Sequence, residues 1–404
     1  MKKSRKIIFS ALSLLMCVLL LTACTPKAVE EPTENAQEVM AQQTETKEEP
    51  TTQEPTTERK PDSKVNILAV GDNLIHAVIY NQAHARANGN GYDFSYAYKN
   101  IADTIKKADL SIINQETIID PTRSPATYPC FNSPVELGEE MVRIGFDVFN
   151  LANNHSLDMG EKGLRNAIKF WDEQGVVHCG AYLNKEEYKK IPSNTVNDIK
   201  FSYVGLTDPT NGLSLKDGAE TVLMLGENED MIKERIQAAS KMSDVVIVNV
   251  HWGVEYTHTP TDRQRDLAKK MASWGADIII GNHPHVIQPV EYIKNDDGSQ
   301  TLCIYSLGNF ISAQDRGARM LGGMMHITVT KDGMTGDTKV TDAYFTGTVT
   351  HYDYNFSNVR VYNLSDYTPE LAARHGVHST TPEFSVDYLN NIVKNVIDKQ
   401  FLKG

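Results

Sequence analysis

The sequence predicts an α/β protein in which buried strands alternate with covering helices and a β-rich portion closes the chain. From Lys64 onward, short apolar runs are separated by amphipathic segments, the alternation expected of sheet strands that carry helices on their faces. Beyond Gln288, paired apolar runs flank turn sequences and helical spacing fades. The size agrees. With 404 residues, 40% hydrophobic and 23% charged, the chain makes one large domain or two modest ones, and a small disulfide knot is excluded.

Taken in order, the chain opens with Lys2, Lys3, Arg5 and Lys6 before an apolar stretch from Ile7 to Leu21. This is a signal-peptide core, too short for an ordinary spanning helix. Leu21-Thr22-Ala23-Cys24 resembles a bacterial lipobox, so residues 1–24 are expected to be a lipoprotein signal and Cys24 a lipid anchor. Each buried methylene of the acyl chains contributes roughly 0.8 kcal/mol to membrane attachment. The expected location is the outer face of a bacterial cytoplasmic membrane, lipid-anchored and extracellular. Residues 25–63 are rich in Thr, Glu, Pro and Gln and poor in aromatic and branched apolar residues, the composition of a disordered linker extended by its own negative charge. Of the remaining thiols, Cys130, Cys179 and Cys303 allow at most one disulfide, and no spacing suggests a zinc ribbon or redox motif.

The clearest strand-like runs are Val65 to Val70, Leu110 to Ile113, Val148 to Ala152, Val245 to Val250 and Ile278 to Ile280. Helix-like stretches lie between them at Ser95 to Lys107, Pro134 to Ile144, Gly160 to Glu173, Asp230 to Met242 and Pro260 to Trp274. Asp158 with Glu161 has the spacing of a capping box, and Thr259 before Pro260 places proline at a first helical position. Asn295 to Gly298 reads as the turn of a hairpin between Val290 to Tyr292 and Thr301 to Tyr305. Lys331-Asp332-Gly333 is a second such turn, between Met325 to Thr330 and Lys339 to Phe345, and Val386 to Lys399 forms a closing helix.

Several of these runs end in residues of a metal-ligand type. The first delivers Asp72, the second Glu116, the third Asn154 and His155, the fourth His251, and the fifth His283 and His285. In open α/β sheets functional crevices lie at the carboxyl ends of strands, so the separate runs are expected to converge. Singly, each residue has an ordinary reading: a turn former, a solvated carboxylate, a hydrogen-bonded imidazole. Together, two carboxylates, an amide oxygen and several imidazoles form a mixed N/O set suited to Zn, Mn or Fe.

Six blocks in order carry a resemblance. They are Ala69-Val70-Gly71-Asp72-Asn73-Leu74-Ile75-His76, Asn114-Gln115-Glu116, Leu151-Ala152-Asn153-Asn154-His155, His251-Trp252-Gly253-Val254-Glu255-Tyr256, Gly281-Asn282-His283-Pro284-His285 and Ser306-Leu307-Gly308-Asn309-Phe310. The stretch from Val65 to Ile311 resembles the CapA family, bacterial capsule or poly-γ-glutamate synthesis proteins related to calcineurin-like metallophosphoesterases. The resemblance implies a four-layer αββα sandwich, expected over residues 64–313; the hairpin and closing helix read above are expected to complete the same domain over residues 314–404.

It also implies a site with two divalent ions. Asp72 would hold the first, Glu116 would bridge both, Asn154, His251 and His283 would serve the second, and His285 would return to the first. His155 would be the general acid. The chain departs from the phosphoesterase pattern in having Asp72 followed by His76 four residues on, and His76 is open between metal ligand and helix cap. A Glu stands at the bridging position and Asn153 replaces a Gly. Glu255 and Asn309 are expected to orient ligands or meet substrate, and Trp252 and Tyr256 to pack or line the crevice. Two divalent ions exceed the charge of Asp72 and Glu116, so the cluster is expected to hold an anion although the whole chain carries −12. Two readings stay open: a metal-dependent hydrolase or transferase acting on a phosphoester or γ-glutamyl amide, and an accessory subunit that binds nascent polymer beside a membrane synthetase. Acidic balance and export disfavour nucleic acid as a partner.

Overall fold

The computed structural model describes residues 60–208 and 210–403. The signal-peptide core, the lipobox at Cys24 and the linker up to residue 59 lie outside the described residues.

The strands in chain order are β1 (Ser63–Asn73), β2 (Leu110–Asn114), β3 (Val148–Asn150), β4 (Val177–Cys179), β5 (Ala181–Tyr182), β6 (Ser193–Val196), β7 (Ile199–Thr207) and β8 (Val222–Leu223). They continue as β9 (Val245–His251), β10 (Ile278–Asn282), β11 (Val290–Lys294), β12 (Gln300–Ile304), β13 (Asn309–Ile311), β14 (Leu321–Lys331), β15 (Thr338–Asp353) and β16 (Ser357–Asn363). One sheet has eight strands in the order β16-β15-β14-β1-β2-β3-β4, with β13 also on β1. A second has six, β11-β12-β10-β9-β7-β6, and β5 pairs with β8 in a small third sheet. The long hairpin of β14 and β15 continues the sheet of β1, and β1 starts at Ser63, a residue assigned above to the linker, because Ser63 pairs with Lys331.

Strand pleating explains how the layers form. In β9, Val245 and Ile247 join the core shared with the first sheet, while Val246, Val248 and Val250 join a separate cluster with Ile232, Ile236, Leu267 and Met271 from the helices Glu229–Ser240 and Asp262–Ser273. β10 divides the same way, with Ile278 and Ile280 inward and Ile279 outward. Both faces of these parallel strands are therefore buried, which is why they read as unbroken apolar runs. On the first sheet, Phe149 stacks on Trp171 of the helix Gly160–Gln174 at 4.1 Å between ring centroids. Burying such a side chain stabilises the fold by roughly 1.5–3 kcal/mol. Helices outside two packed sheets make the four-layer αββα sandwich.

Three local expectations change. The segment expected to be one helix from Ser95 to Lys107 is two short helices, Ser95–Tyr98 and Ala102–Ile105, broken just after Tyr98, whose hydroxyl is tied to Asn73 and whose ring stacks on Phe310. The helix Gly160–Gln174 is preceded by Met159 with no side-chain cap, and the Asp158 carboxylate turns instead to His155. The helix expected from Pro260 starts at Asp262, where Thr261 and Gln264 form the capping box.

Candidate metal centre

Parallel register sets the ends of the strands side by side. Across the first sheet Asn309 pairs with Asp72, Asp72 with Asn114 and Asn114 with Asn150. Across the second, Thr207 pairs with His251 and His251 with Asn282. Glycines allow the close approach. A Cβ on Gly71 would lie 1.9 Å from the Gly308 carbonyl oxygen, and one on Gly281 would lie 2.0 Å from that of Tyr305. Each precedes the residues that enter the site.

Asp72, Glu116, His251, His283 and His285 are all buried where these rows meet. Their ligand atoms fall into close groups: Glu116, His251 and His283 form one, Asp72, Glu116 and His285 another, and Glu255, His283 and His285 a third. Glu116 is shared by the first two. Its Oε1 lies 3.7 Å from His251 Nε2 and 3.7 Å from His285 Nε2. Asn154 closes the first group, its Oδ1 being 3.0 Å from His251 Nε2. His76 stands outside all three groups. It precedes the helix Ala77–Arg86 without a side-chain cap bond, and its Nδ1 faces the Ala313 N–H and the Leu74 carbonyl, both at 3.2 Å, so backbone occupies the nitrogen that a ligand role at that atom would need.

The fit to a cation rests on Glu116. It is 0% exposed, and neither carboxylate oxygen has a hydrogen-bond partner. A charge removed from water without a partner costs several kcal/mol, which a bound cation would offset. Burial, and then the neighbouring Asp72, push this carboxyl well above the usual range in the bare protein. Burial and then His283 depress His251 well below its ordinary value, and burial and then His285 hold His283 at about 4. At neutral pH these rings are uncharged, the state in which imidazole binds a metal.

Supporting groups fix the candidates in place. The Asn114 amide donates to Asp72 Oδ1 at 2.8 Å, lies 3.2 Å from His251 Nδ1 and accepts from Asn150 at 2.9 Å. Asn309 Oδ1 and Asp72 Oδ2 flank His285 Nδ1 at 3.0 and 3.2 Å. His283 and His285 have φ of 98° and 57°, left-handed values that cost a side-chain-bearing residue of order 1–3 kcal/mol and cluster at functional sites. Trp252 packs in the outer cluster and donates to the Tyr305 carbonyl, whereas Tyr256 lines the cleft.

The cluster opens on a cleft of about 950 Å³ lined by His76, Phe131, Asn154, His155, Glu255, Tyr256, His285 and Arg319 among others. His155 Nδ1 is 2.7 Å from Asp158 Oδ2, which also accepts the Phe131 N–H at 2.6 Å. A carboxylate that only accepts makes Nδ1 the protonated nitrogen and turns Nε2 away from it. Sequence reasoning missed Asn114, Asp158 as a partner of His155, and Arg319. Asn114 carried a usable signal, since it stands at the same strand end as Glu116. Arg319 carried none.

Residues 66–314 match the family described as "Bacterial capsule synthesis protein PGA_cap". The chain is 32% identical over 271 residues to the capsule biosynthesis protein CapA of Bacillus anthracis, covering 64% of this chain and 62% of that protein. It is 36% identical over 185 residues to the PGA biosynthesis protein CapA of Bacillus subtilis (strain 168), covering 45% and 47%. The chain thus spans about half to three-fifths of these relatives. A phosphatase structure from Mycoplasma pneumoniae aligns with a TM-score of 0.44 at 14% identity, over 70% of this chain and 93% of that one.

Proposed function

The chain belongs to the PGA_cap family of bacterial capsule synthesis proteins, and from that premise we propose that it acts in the synthesis, release or attachment of an anionic capsule polymer, poly-γ-glutamate, by metal-dependent hydrolysis or transfer. The observation that carries the reading is Glu116, a buried carboxylate without a hydrogen-bond partner, shared by two ligand groups beside a cleft. Asp72, Glu116 and His285 would hold one divalent ion, and Glu116, His251, His283 and Asn154 a second. Such ions would supply Lewis acidity and lower the pKa of water toward neutrality. The chain's own residues do the rest. The two carboxylates offset only half the charge of two divalent ions, so the site attracts an anionic group. His155, oriented by Asp158, is placed to protonate a leaving oxygen or nitrogen. Asn309 would keep His285 in position, and Glu255 stands close to His283 and His285. The proposed address is the outer face of the cytoplasmic membrane, held through acylated Cys24, where nascent polymer and membrane synthetase subunits would be within reach.

The test is to purify the full-length chain, quantify bound metals, and assay model phosphoesters and γ-glutamyl peptides beside His155→Ala and Asp158→Asn. His155→Ala should lose roughly 10²- to 10⁴-fold in turnover while metal content persists, with a smaller loss in Asp158→Asn. A wild-type protein that binds metals but turns over neither substrate class would replace catalysis with polymer binding as an accessory subunit.

A further inference from the structure

Arg319 is the one Lys or Arg among the described residues lining the cleft. Its guanidinium carbon lies 3.4 Å from the centre of the Tyr256 ring, and that ring lies 5.9 Å from the His285 ring. Tyr256 is itself pinned, with φ of 67° and its N–H donated to the carbonyl of Pro284, which sits between His283 and His285. Asn309, 3.0 Å from His285 Nδ1 through Oδ1, donates through Nδ2 to the Arg319 carbonyl at 3.1 Å. Both the backbone and the head group of Arg319 are thus registered to groups that hold His285.

The guanidinium is nevertheless uncommitted. No described residue accepts a hydrogen bond from it, and its ion pair is with Asp315 at 4.0 Å, whose side chain is 52% exposed. The Arg319 side chain is only 20% exposed. Stacking on tyrosine covers a face of the guanidinium plane and leaves the N–H edge, the part whose fork geometry matches a carboxylate in a two-toothed hydrogen bond. A fork held rigid beside a candidate metal ligand, with no protein acceptor, is built for an acceptor on the substrate.

We propose that Arg319 is a specificity residue that grips a carboxylate of the substrate while another part of the same molecule lies at the metal cluster, so that the site selects chains bearing a carboxylate on each unit over small single anions. This rests on the polymer reading above. A metal-bound cluster would attract one anionic group; Arg319 adds a second point of recognition away from it. Glu255 and Asp315, the carboxylates sharing the cleft, keep unguided anions from settling elsewhere along its wall.

The test uses the full-length chain loaded with Mn²⁺, titrated calorimetrically with γ-linked oligoglutamate and separately with inorganic phosphate, for wild type, Arg319→Ala and Arg319→Lys. Arg319→Ala should weaken oligoglutamate binding by roughly 10- to 100-fold, as expected for a lost charge-assisted pair, with phosphate affinity, metal content and Tm retained. Arg319→Lys should recover part of the loss, because charge returns without the fork. Unchanged oligoglutamate affinity in Arg319→Ala would overturn the assignment, and so would a parallel loss of phosphate binding, which would make Arg319 a support of the metal cluster. Wild-type protein that binds phosphate but not oligoglutamate would sink the polymer reading itself, and the assignment with it.

Discussion

Replacing Glu116 with Gln separates the metal centre from the fold that carries it. The substitution keeps shape and burial but removes the charge that two ligand groups share. In the bare protein that carboxyl is already pushed well above the usual range by burial and by Asp72, so losing the charge should cost the metal-free fold little or even stabilise it. The effect should appear only on adding metal. A ligand at a hundred times its Kd stabilises a protein by about 2.7 kcal/mol. A body of this size, residues 60–403, has an unfolding entropy near 0.7 kcal/mol per degree, so the wild type should gain about 4 °C. If the variant binds a thousandfold more weakly, the same metal concentration adds less than about 0.1 kcal/mol and no measurable shift. The assay is scanning calorimetry after chelation, with and without Mn²⁺ or Zn²⁺, together with metal quantification. Equal Tm gains and equal stoichiometry in wild type and Glu116→Gln would refute the reasoning.

Two further outcomes follow from packing and from buried charge. Gly71→Ala forces a Cβ within 1.9 Å of the Gly308 carbonyl oxygen, a backbone atom that cannot swing away, so melting should fall by about 4 °C, equivalent to about 3 kcal/mol, with weakened metal binding because Asp72 is displaced. His375, buried far along the chain against Phe384 and Tyr352, is held at about 3 chiefly by burial. Its folded value lies below the unfolded value of 6.5, so its contribution is complete above pH 6.5 and lost as pH falls toward 3. At pH 5 the loss is about 2 kcal/mol. In denaturant titrations of the metal-free chain, His375→Gln should shrink the stability difference between pH 7.5 and pH 5 by about that amount, since the depressed His251 and His283 contribute alike in both proteins; an unchanged difference in the variant would remove His375 as a cause.

Much of the site was legible because β-structure writes itself locally. A buried parallel strand is an apolar run, and a polar residue at its end has no business in a core, so Asp72, Glu116, His251 and His283 stood out without any knowledge of strand order. Pattern also located five of the six described helices of ten or more residues to within a few residues, Ala77–Arg86 being the exception. It failed where two uses of one residue share a spacing. Asp158 lies three before Glu161 and reads as a cap, yet the turn through Met159 and Gly160 carries its carboxylate to His155. His76 is open for the same reason: it makes no side-chain cap bond, and Ala313 and Leu74 occupy its Nδ1. β7, apolar and buried, escaped notice because Lys200, Ser202 and Gly205 interrupt its run.

The sequence by itself determined the kind of protein: alternating strands and helices, a donor set of oxygens and nitrogens, and membership in a family through blocks such as Gly281-Asn282-His283-Pro284-His285. Only the tertiary structure decided that Asp72, Asn114 and Asn150 form one row facing His251, that the Glu116 carboxylate has no hydrogen-bond partner, and that Arg319 stacks on Tyr256 beside His285. The division has a physical origin. Hydrophobic periodicity is a property of a few neighbouring residues, whereas which strands lie side by side, and which polar groups are then left without partners, depends on pairings between segments far apart in the chain.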